Sequence, residues 1–183
     1  MWPWGHAAAG YLVLSLWWRH ADEPPSGVGA IAVGVGTLAP DIVDKPLAWT
    51  ADLLPNGRSL SHSALTAALV CALLWVVIDD GQKRRAVGAF AIGYWSHLAT
   101  DAVGPVVYWD LGRLAYLGYP LVPAPPKGPS AGFLAQLRTL GSSPLLVLEL
   151  GLVVLALVAW HRDGYPGLRT LGAWAGLVDS NST

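Results

Sequence analysis

The sequence predicts an all-α protein, a polytopic membrane helical bundle with about five hydrophobic spans, one of them short or re-entrant. Of its 183 residues, 54% are hydrophobic and only 13% are charged, which is too apolar for an ordinary soluble domain. The mean hydropathy is +0.46. Ten tryptophans and twenty-one glycines also fit a membrane protein, because tryptophan favours membrane interfaces and glycine lets helices pack closely.

Apolar segments along the chain define the expected spans. The clearest segment covers residues 64–78, where Thr66 is the only polar residue. The segment at 28–39 has too few residues to cross the hydrocarbon as a straight helix, so it is expected to be short or re-entrant. Gly104 and Pro105 are expected to end the fourth span, since proline cannot continue a helix normally. The remaining spans are expected at 4–18, 86–103 and 144–160.

The predicted organisation is a membrane domain at 1–162 followed by a polar C-terminal tail at 163–183. Basic residues follow the first span at Arg19, join the third and fourth spans at 83–85, and follow the fifth at Arg162. With five spans these residues fall on one side, which the positive-inside rule makes cytoplasmic. We therefore expect a multi-pass protein of the plasma membrane.

Charge and cysteine content exclude several classes of protein. Eleven Lys and Arg against twelve Asp and Glu give a net charge of −1, so there is no excess of positive charge to bind nucleic acid. The single cysteine, Cys71, excludes an internal disulfide and a cysteine-rich zinc module. The lipid bilayer is the expected partner, and the sequence does not predict the oligomeric state.

The informative residues are histidines and aspartates near one end of the predicted spans. Such groups are costly in a membrane and indicate function. His97 and Asp101 are four residues apart, which puts them on one face of a helix. The other histidines and aspartates come from three further segments, so we expect imidazoles and carboxylates to meet on the extracytoplasmic side. The full set is His6, Asp41, Asp44, His62, His97 and Asp101.

These residue types are those of a metal site. Neutral imidazole and ionised carboxylate bind borderline divalent ions such as zinc or manganese, and six such groups suffice for one or two ions. A bound cation also compensates for the burial of the carboxylates.

Each residue also has a simpler interpretation. His6 could lie at the membrane interface, and the stretch from Pro40 to Asp44 could end one helix and cap the next. A serine beside His62 could cap the third span. His97 and Asp101 could bond to each other without a metal.

The order Gly5-His6, Pro40-Asp41-x-x-Asp44, Arg58-Ser59-x-x-His62-Ser63 and His97-x-x-x-Asp101 resembles the YdjM-like family of membrane-bound, predicted metal-dependent hydrolases. The resemblance covers roughly the first 110 residues and is greatest to haloarchaeal members. It implies an integral membrane protein with hydrolase activity. It also implies a metal site at His6, Asp41, His62, His97 and Asp101.

The expected function is hydrolysis of a phosphoester, or of a lipid-like substrate, by a metal-activated water. Asp44 would bridge to a second ion, or orient a histidine and accept the proton of the water. Arg58 would hold an anionic substrate, since a guanidinium can form two parallel bonds to phosphate; alternatively it binds lipid headgroups. Two other possibilities are a non-enzymatic protein with a structural metal site or an ion-transport role, and a metal-free structural protein.

Overall fold

The computed structural model describes residues 1–125, 132–138, 141 and 145–177. These residues form helices and no strand, so the predicted all-α class is confirmed for the described part of the chain. The helices are α1 (Pro3–His20), α2 (Gly27–Trp49), α3 (Ala64–Val77), α4 (Gly81–Val107), a 3₁₀ helix (Leu111–Gly118), α5 (Phe133–Arg138), α6 (Leu146–Arg162) and α7 (Leu168–Trp174).

One described helix, α2, has both the length and the hydropathy of a membrane span, with 23 residues and a hydropathy of 1.3. Helix α3 is apolar but shorter. The expectation of about five spans is therefore not confirmed, although a helix overlaps each of the five predicted segments.

Helix α2 differs from the short or re-entrant segment that the sequence predicted. It continues through Pro40 and Pro46 to Trp49, and α4 likewise continues through Pro105 to Val107. Proline disfavours but does not forbid an interior position, and close packing of α2 on α4 outweighs this local preference. The continuation matters because it puts Asp41 and Asp44 on a helix.

Helices α2 and α4 approach most closely at two glycines. A Cβ on Gly36 would lie 2.2 Å from the carbonyl oxygen of Phe90, and one on Gly93 would lie 2.3 Å from that of Val33. No side chain fits at either position, as at the close helix contacts of membrane proteins. Helix α1 packs on α2, α4 and α6, while α3 packs on α4.

The bundle exposes large apolar side chains and buries polar ones. On α3 only Ala67 is buried, and Leu69 and Val76 are exposed. On α6, Val147 and Leu155 are exposed. Apolar surface of this extent is unusual on a soluble monomer and fits contact with lipid.

The predicted polar tail contains the short helix α7. This helix packs against the beginning of α2, where a Cβ on Gly27 would meet the hydroxyl of Thr170. Residues 178–183 lie outside the described residues.

Candidate metal centre

The six predicted ligand residues come together at one end of the bundle, and all are buried. His6 lies in the first turn of α1, which Pro3 begins. Asp41 and Asp44 follow Thr37 on α2 at spacings of four and three residues, hence on one face. His97 and Asp101 share a face of α4, and His62 lies two residues before the start of α3.

The tautomer of His97 follows from its hydrogen bond to the backbone. Its Nδ1 lies 2.6 Å from the carbonyl oxygen of Thr37, which can only accept. Nδ1 therefore carries the hydrogen, and Nε2 of the neutral ring has a free lone pair.

The same reasoning applies to His6. Its Nδ1 lies 2.7 Å from the hydroxyl oxygen of Thr100. That hydroxyl has carbonyl acceptors in Ser96 and His97 on its own helix. Because a hydroxyl has one hydrogen to donate, Thr100 accepts from His6, and Nε2 of His6 is left with a lone pair.

Asp44 fixes the third imidazole. Its carboxylate accepts from the backbone N–H groups of Ser59 and Ser61, both at 2.8 Å, and of His62 at 3.2 Å. It also lies 2.9 Å from Nδ1 of His62. These donors occupy both oxygens of Asp44, so the carboxylate holds His62 with its Nε2 directed away from Asp44.

The three Nε2 atoms face one another and two carboxylates. Nε2 of His62 lies 3.1 Å from Nε2 of His97, 3.4 Å from Asp41 Oδ1 and 3.5 Å from Asp101 Oδ2. Nε2 of His6 lies 3.4 Å from Asp101 Oδ1. Each of these contacts joins two acceptors, which repel unless a cation or a proton lies between them.

These separations fit a metal ion. Ligand atoms at the 2.0–2.2 Å distances of zinc, in tetrahedral geometry, lie roughly 3.3–3.6 Å apart. Two groups with ligand atoms close enough to hold an ion are present among the described residues, and they share His97. One is His6, Asp41 and His97, and the other is His62, His97 and Asp101.

Both carboxylates are also paired with a cation. Lys45 lies 2.5 Å from Oδ2 of Asp41, which leaves Oδ1 facing His62 and His97. Arg58 donates to both oxygens of Asp101, from Nε at 2.7 Å and from Nη2 at 2.9 Å. The Asp101 carboxylate raises the pKa of Arg58 above its ordinary value. The amino group of Met1 lies 3.1 Å from Oδ1 of Asp101.

A family model described as YdjM inner membrane protein matches residues 1–162. The chain belongs to this family. The family resemblance indicated by the sequence motifs is thereby confirmed. The greater resemblance to haloarchaeal members is not. No curated protein and no solved structure matches the chain.

Membership of the YdjM family makes this a membrane protein and supports a location in the plasma membrane. The matched region also includes every residue of the buried histidine and aspartate cluster. The two remaining histidines, His20 and His161, lie at the ends of α1 and α6 farthest from the cluster. His161 contacts Tyr165 there.

Three residues near the cluster were not predicted from the sequence. Thr37 and Thr100 orient histidines, but threonine inside a helix carries no signal of such a role. Tyr116 lies on the 3₁₀ helix, its ring edge-on to His62 with centroids 6.1 Å apart. A tyrosine between two predicted spans gives no reason to expect this contact.

Glu149 also lies at the end of the bundle that carries the cluster. Helix α6 begins at Leu146, so Glu149 is in its first turn. Its carboxylate accepts from the backbone N–H of Trp2 at 3.1 Å.

Proposed function

We propose that this YdjM family protein is a membrane-bound, metal-dependent hydrolase that acts on a phosphoester, with a lipid-like molecule as the favoured substrate. The observation that carries the proposal is the convergence of three Nε2 lone pairs and two carboxylates in a buried site. One proton could relieve one of these contacts, whereas one or two divalent cations in the two groups that share His97 would relieve them all.

The residues assigned to hold the ion are His6, Asp41, His62, His97 and Asp101. Nitrogen and oxygen ligands without thiolate favour zinc or manganese, and the sharing of His97 between two groups is compatible with one or two ions. A bound divalent ion would supply an acidified water at neutral pH and so a nucleophile for hydrolysis.

Asp44 is assigned to orientation rather than to metal binding or proton transfer. Both of its oxygens already accept hydrogen bonds from the loop that carries His62. A carboxylate behind a metal-binding histidine fixes the ring and makes it a stronger ligand.

Arg58 is assigned to substrate binding at the entrance of the site. Its side chain is 43% exposed, whereas that of Asp101 is 1% exposed. The guanidinium therefore connects the buried cluster with the surface. Two of its five N–H groups bind Asp101, and the other three make no hydrogen bond within the described residues, so they can bind an anion.

The site is assigned to the extracytoplasmic side of the plasma membrane. Arg19 lies at the end of α1 opposite His6, and Lys83, Arg84 and Arg85 lie at the end of α4 opposite Asp101. Basic residues at these ends favour a cytoplasmic location for them.

Ion transport is less well supported than hydrolysis. A transporter needs polar groups along a route to both faces. Here the core between the two ends of α1 includes the apolar Ala8, Leu14 and Val33. Its polar side chains Tyr11 and Ser15 bond to Asp163 at the far end and not to the cluster. Proteoliposomes that move the metal without any hydrolysis would reverse this preference.

The test begins with protein purified in detergent. We expect stoichiometric zinc or manganese by mass spectrometry, and hydrolysis of bis(p-nitrophenyl) phosphate that stops on chelation and returns with the metal. His62→Gln and His97→Gln should lose both metal and activity. His20→Gln, at the far end of α1, is the matched control and should lose neither. Full metal retention in both cluster variants would refute the ligand assignment.

A further inference from the structure

The 3₁₀ helix lies beside the metal centre and is tied to it through Ser63. This serine caps α3 by accepting from the N–H of Leu65 and Thr66, and its hydroxyl lies 2.5 Å from the carbonyl oxygen of Tyr119. The segment that carries Tyr116 is therefore joined to the residue that follows His62. Tyr116 contacts the imidazole of His62 edge-on.

The hydroxyl of Tyr116 is buried and has no hydrogen-bond partner within the described part of the chain. The residue is 2% exposed. Other buried tyrosines are satisfied: Tyr11 donates to Asp163 at 2.9 Å, and Tyr94 donates to the carbonyl of Ser61 at 2.7 Å. An unpaired buried hydroxyl is unfavourable, so this one is available to donate to a ligand.

Tyr116 lies beside the charged pair of Arg58 and Asp101. Its ring contacts His62, and Nε2 of His62 lies 3.5 Å from the Asp101 oxygen to which Arg58 donates. Arg58 uses only its Nε and Nη2 atoms on Asp101. The phenol can donate one hydrogen bond, and the free edge of the guanidinium can donate two in parallel.

We propose that Tyr116 and Arg58 together bind the phosphoryl oxygens of an anionic ligand at the metal centre. This inference rests on the proposed function and adds Tyr116 to the residues that would bind the phosphoryl group of its substrate. A neutral ester carbonyl has one oxygen for such donors and no charge to match a guanidinium. A phosphoryl group presents several charged oxygens in the arrangement that a guanidinium edge and a neighbouring donor bind well.

The experiment measures phosphate binding by zinc-loaded protein in detergent, using isothermal titration calorimetry with inorganic phosphate. Tyr116→Phe removes only the unpaired hydroxyl, and we expect its phosphate affinity to fall about tenfold with unchanged zinc content. Tyr108→Phe is the matched control, because Tyr108 is exposed, and should bind phosphate like the native protein. Equal affinity in Tyr116→Phe and native protein, or no phosphate binding by native protein, would overturn the inference.

Arg58→Lys is a second variant, and it tests the proposal even if Tyr116→Phe does not fold. It keeps the charge but loses the planar edge, so phosphate affinity should again fall. Unchanged affinity in this variant would also contradict the proposal.

Two further comparisons separate the remaining possibilities. Displacement of the bound phosphate by dihexanoyl phosphatidylglycerol identifies a lipid phosphodiester as the ligand. Phosphate binding that this lipid does not displace identifies free phosphate, and both results support the inference. If phosphate binding depends on Tyr116 but bis(p-nitrophenyl) phosphate is not hydrolysed, the proposed hydrolase function is contradicted and this inference is supported. If the ester is hydrolysed but phosphate binding does not depend on Tyr116, the hydrolase function is supported and this inference is contradicted.

Discussion

The imidazole of His97 donates from Nδ1 to the backbone carbonyl of Thr37 across 2.6 Å. This bond joins α4 to α2 at the depth of the metal centre. The same carbonyl group belongs to the stretch of α2 that packs on Gly93. The orientation of His97, a proposed metal ligand, therefore depends on how closely α2 and α4 approach each other.

The first prediction concerns this approach. A Cβ on Gly93 would lie 2.3 Å from the carbonyl oxygen of Val33 and 2.9 Å from the backbone nitrogen of Thr37, so Gly93→Ala must separate α2 from α4. We expect a loss of about 1–3 kcal/mol in unfolding free energy and a lower zinc content. Thermal unfolding in detergent and metal analysis measure the two effects.

Gly88→Ala is the matched control for this prediction. Gly88 lies on the same helix, and among the described residues no neighbouring group comes within 4 Å of the position that a Cβ would occupy there. Alanine at this position should therefore leave metal binding unchanged. Equal zinc content in the Gly93 and Gly88 variants would show that the helix contact does not position His97.

A second prediction follows from the hydrogen bonds of Asp44. Asn in its place has one acceptor oxygen for donors that now occupy two, so some of the N–H groups of the 59–62 loop lose their partner. We expect a loss of about 1–3 kcal/mol in unfolding free energy and a roughly 10–100-fold lower zinc affinity. Competition with a fluorescent chelator measures the affinity.

Asp79→Asn serves as the control for Asp44→Asn, because the side chain of Asp79 is 91% exposed. Asp79→Asn should change neither the unfolding free energy nor the zinc affinity. A zinc affinity in Asp44→Asn equal to that of the control would be inconsistent with a role of Asp44 in holding His62.

The sequence was informative about which residues meet, because apolar segments make a buried charge conspicuous. Four separate segments carried histidine or aspartate near the same end, and these side chains lie together in the structure. The all-α class followed from the same apolar segments. The order of motifs also identified the family correctly.

The remaining features depend on tertiary contacts that no local pattern encodes. Pro40 suggested a helix end, but packing at Gly36 and Gly93 carries α2 past it. The role of Asp44 depends on backbone N–H groups of a loop distant in sequence. Tyr116 reaches the site because the 3₁₀ helix folds back on α3 and α4.

A third prediction tests the membrane contact of α6. In a Cys71→Ala background, a spin label at Leu155, which is 58% exposed, should collide frequently with oxygen and rarely with a nickel chelate in liposomes. A label at the neighbouring Ala156, which is 8% exposed, should collide little with either. Frequent nickel collisions at Leu155 would show that this face of α6 contacts water.

A fourth prediction concerns acid stability at the other end of the bundle. Asp163, which follows α6, accepts from Tyr11, Ser15 and Arg19 on α1, at 2.9, 2.6 and 2.8 Å. Burial raises the pKa of Asp163, but hydrogen bonds from Ser15, Arg19 and Tyr11 outweigh burial and hold it below the ordinary value of 3.8. The folded state therefore favours the carboxylate more than the unfolded state does.

Because the pKa is lowered on folding, this carboxylate stabilises the protein above about pH 4 and the contribution is lost as the pH falls through the folded-state pKa. Asp163→Asn should cost about 1–3 kcal/mol near neutral pH, and its stability should fall less steeply than that of native protein below about pH 4. Thermal unfolding in detergent between about pH 6 and pH 3 measures the slopes. Parallel curves for the two proteins would mean that the α1–α6 contact is independent of the charge on Asp163.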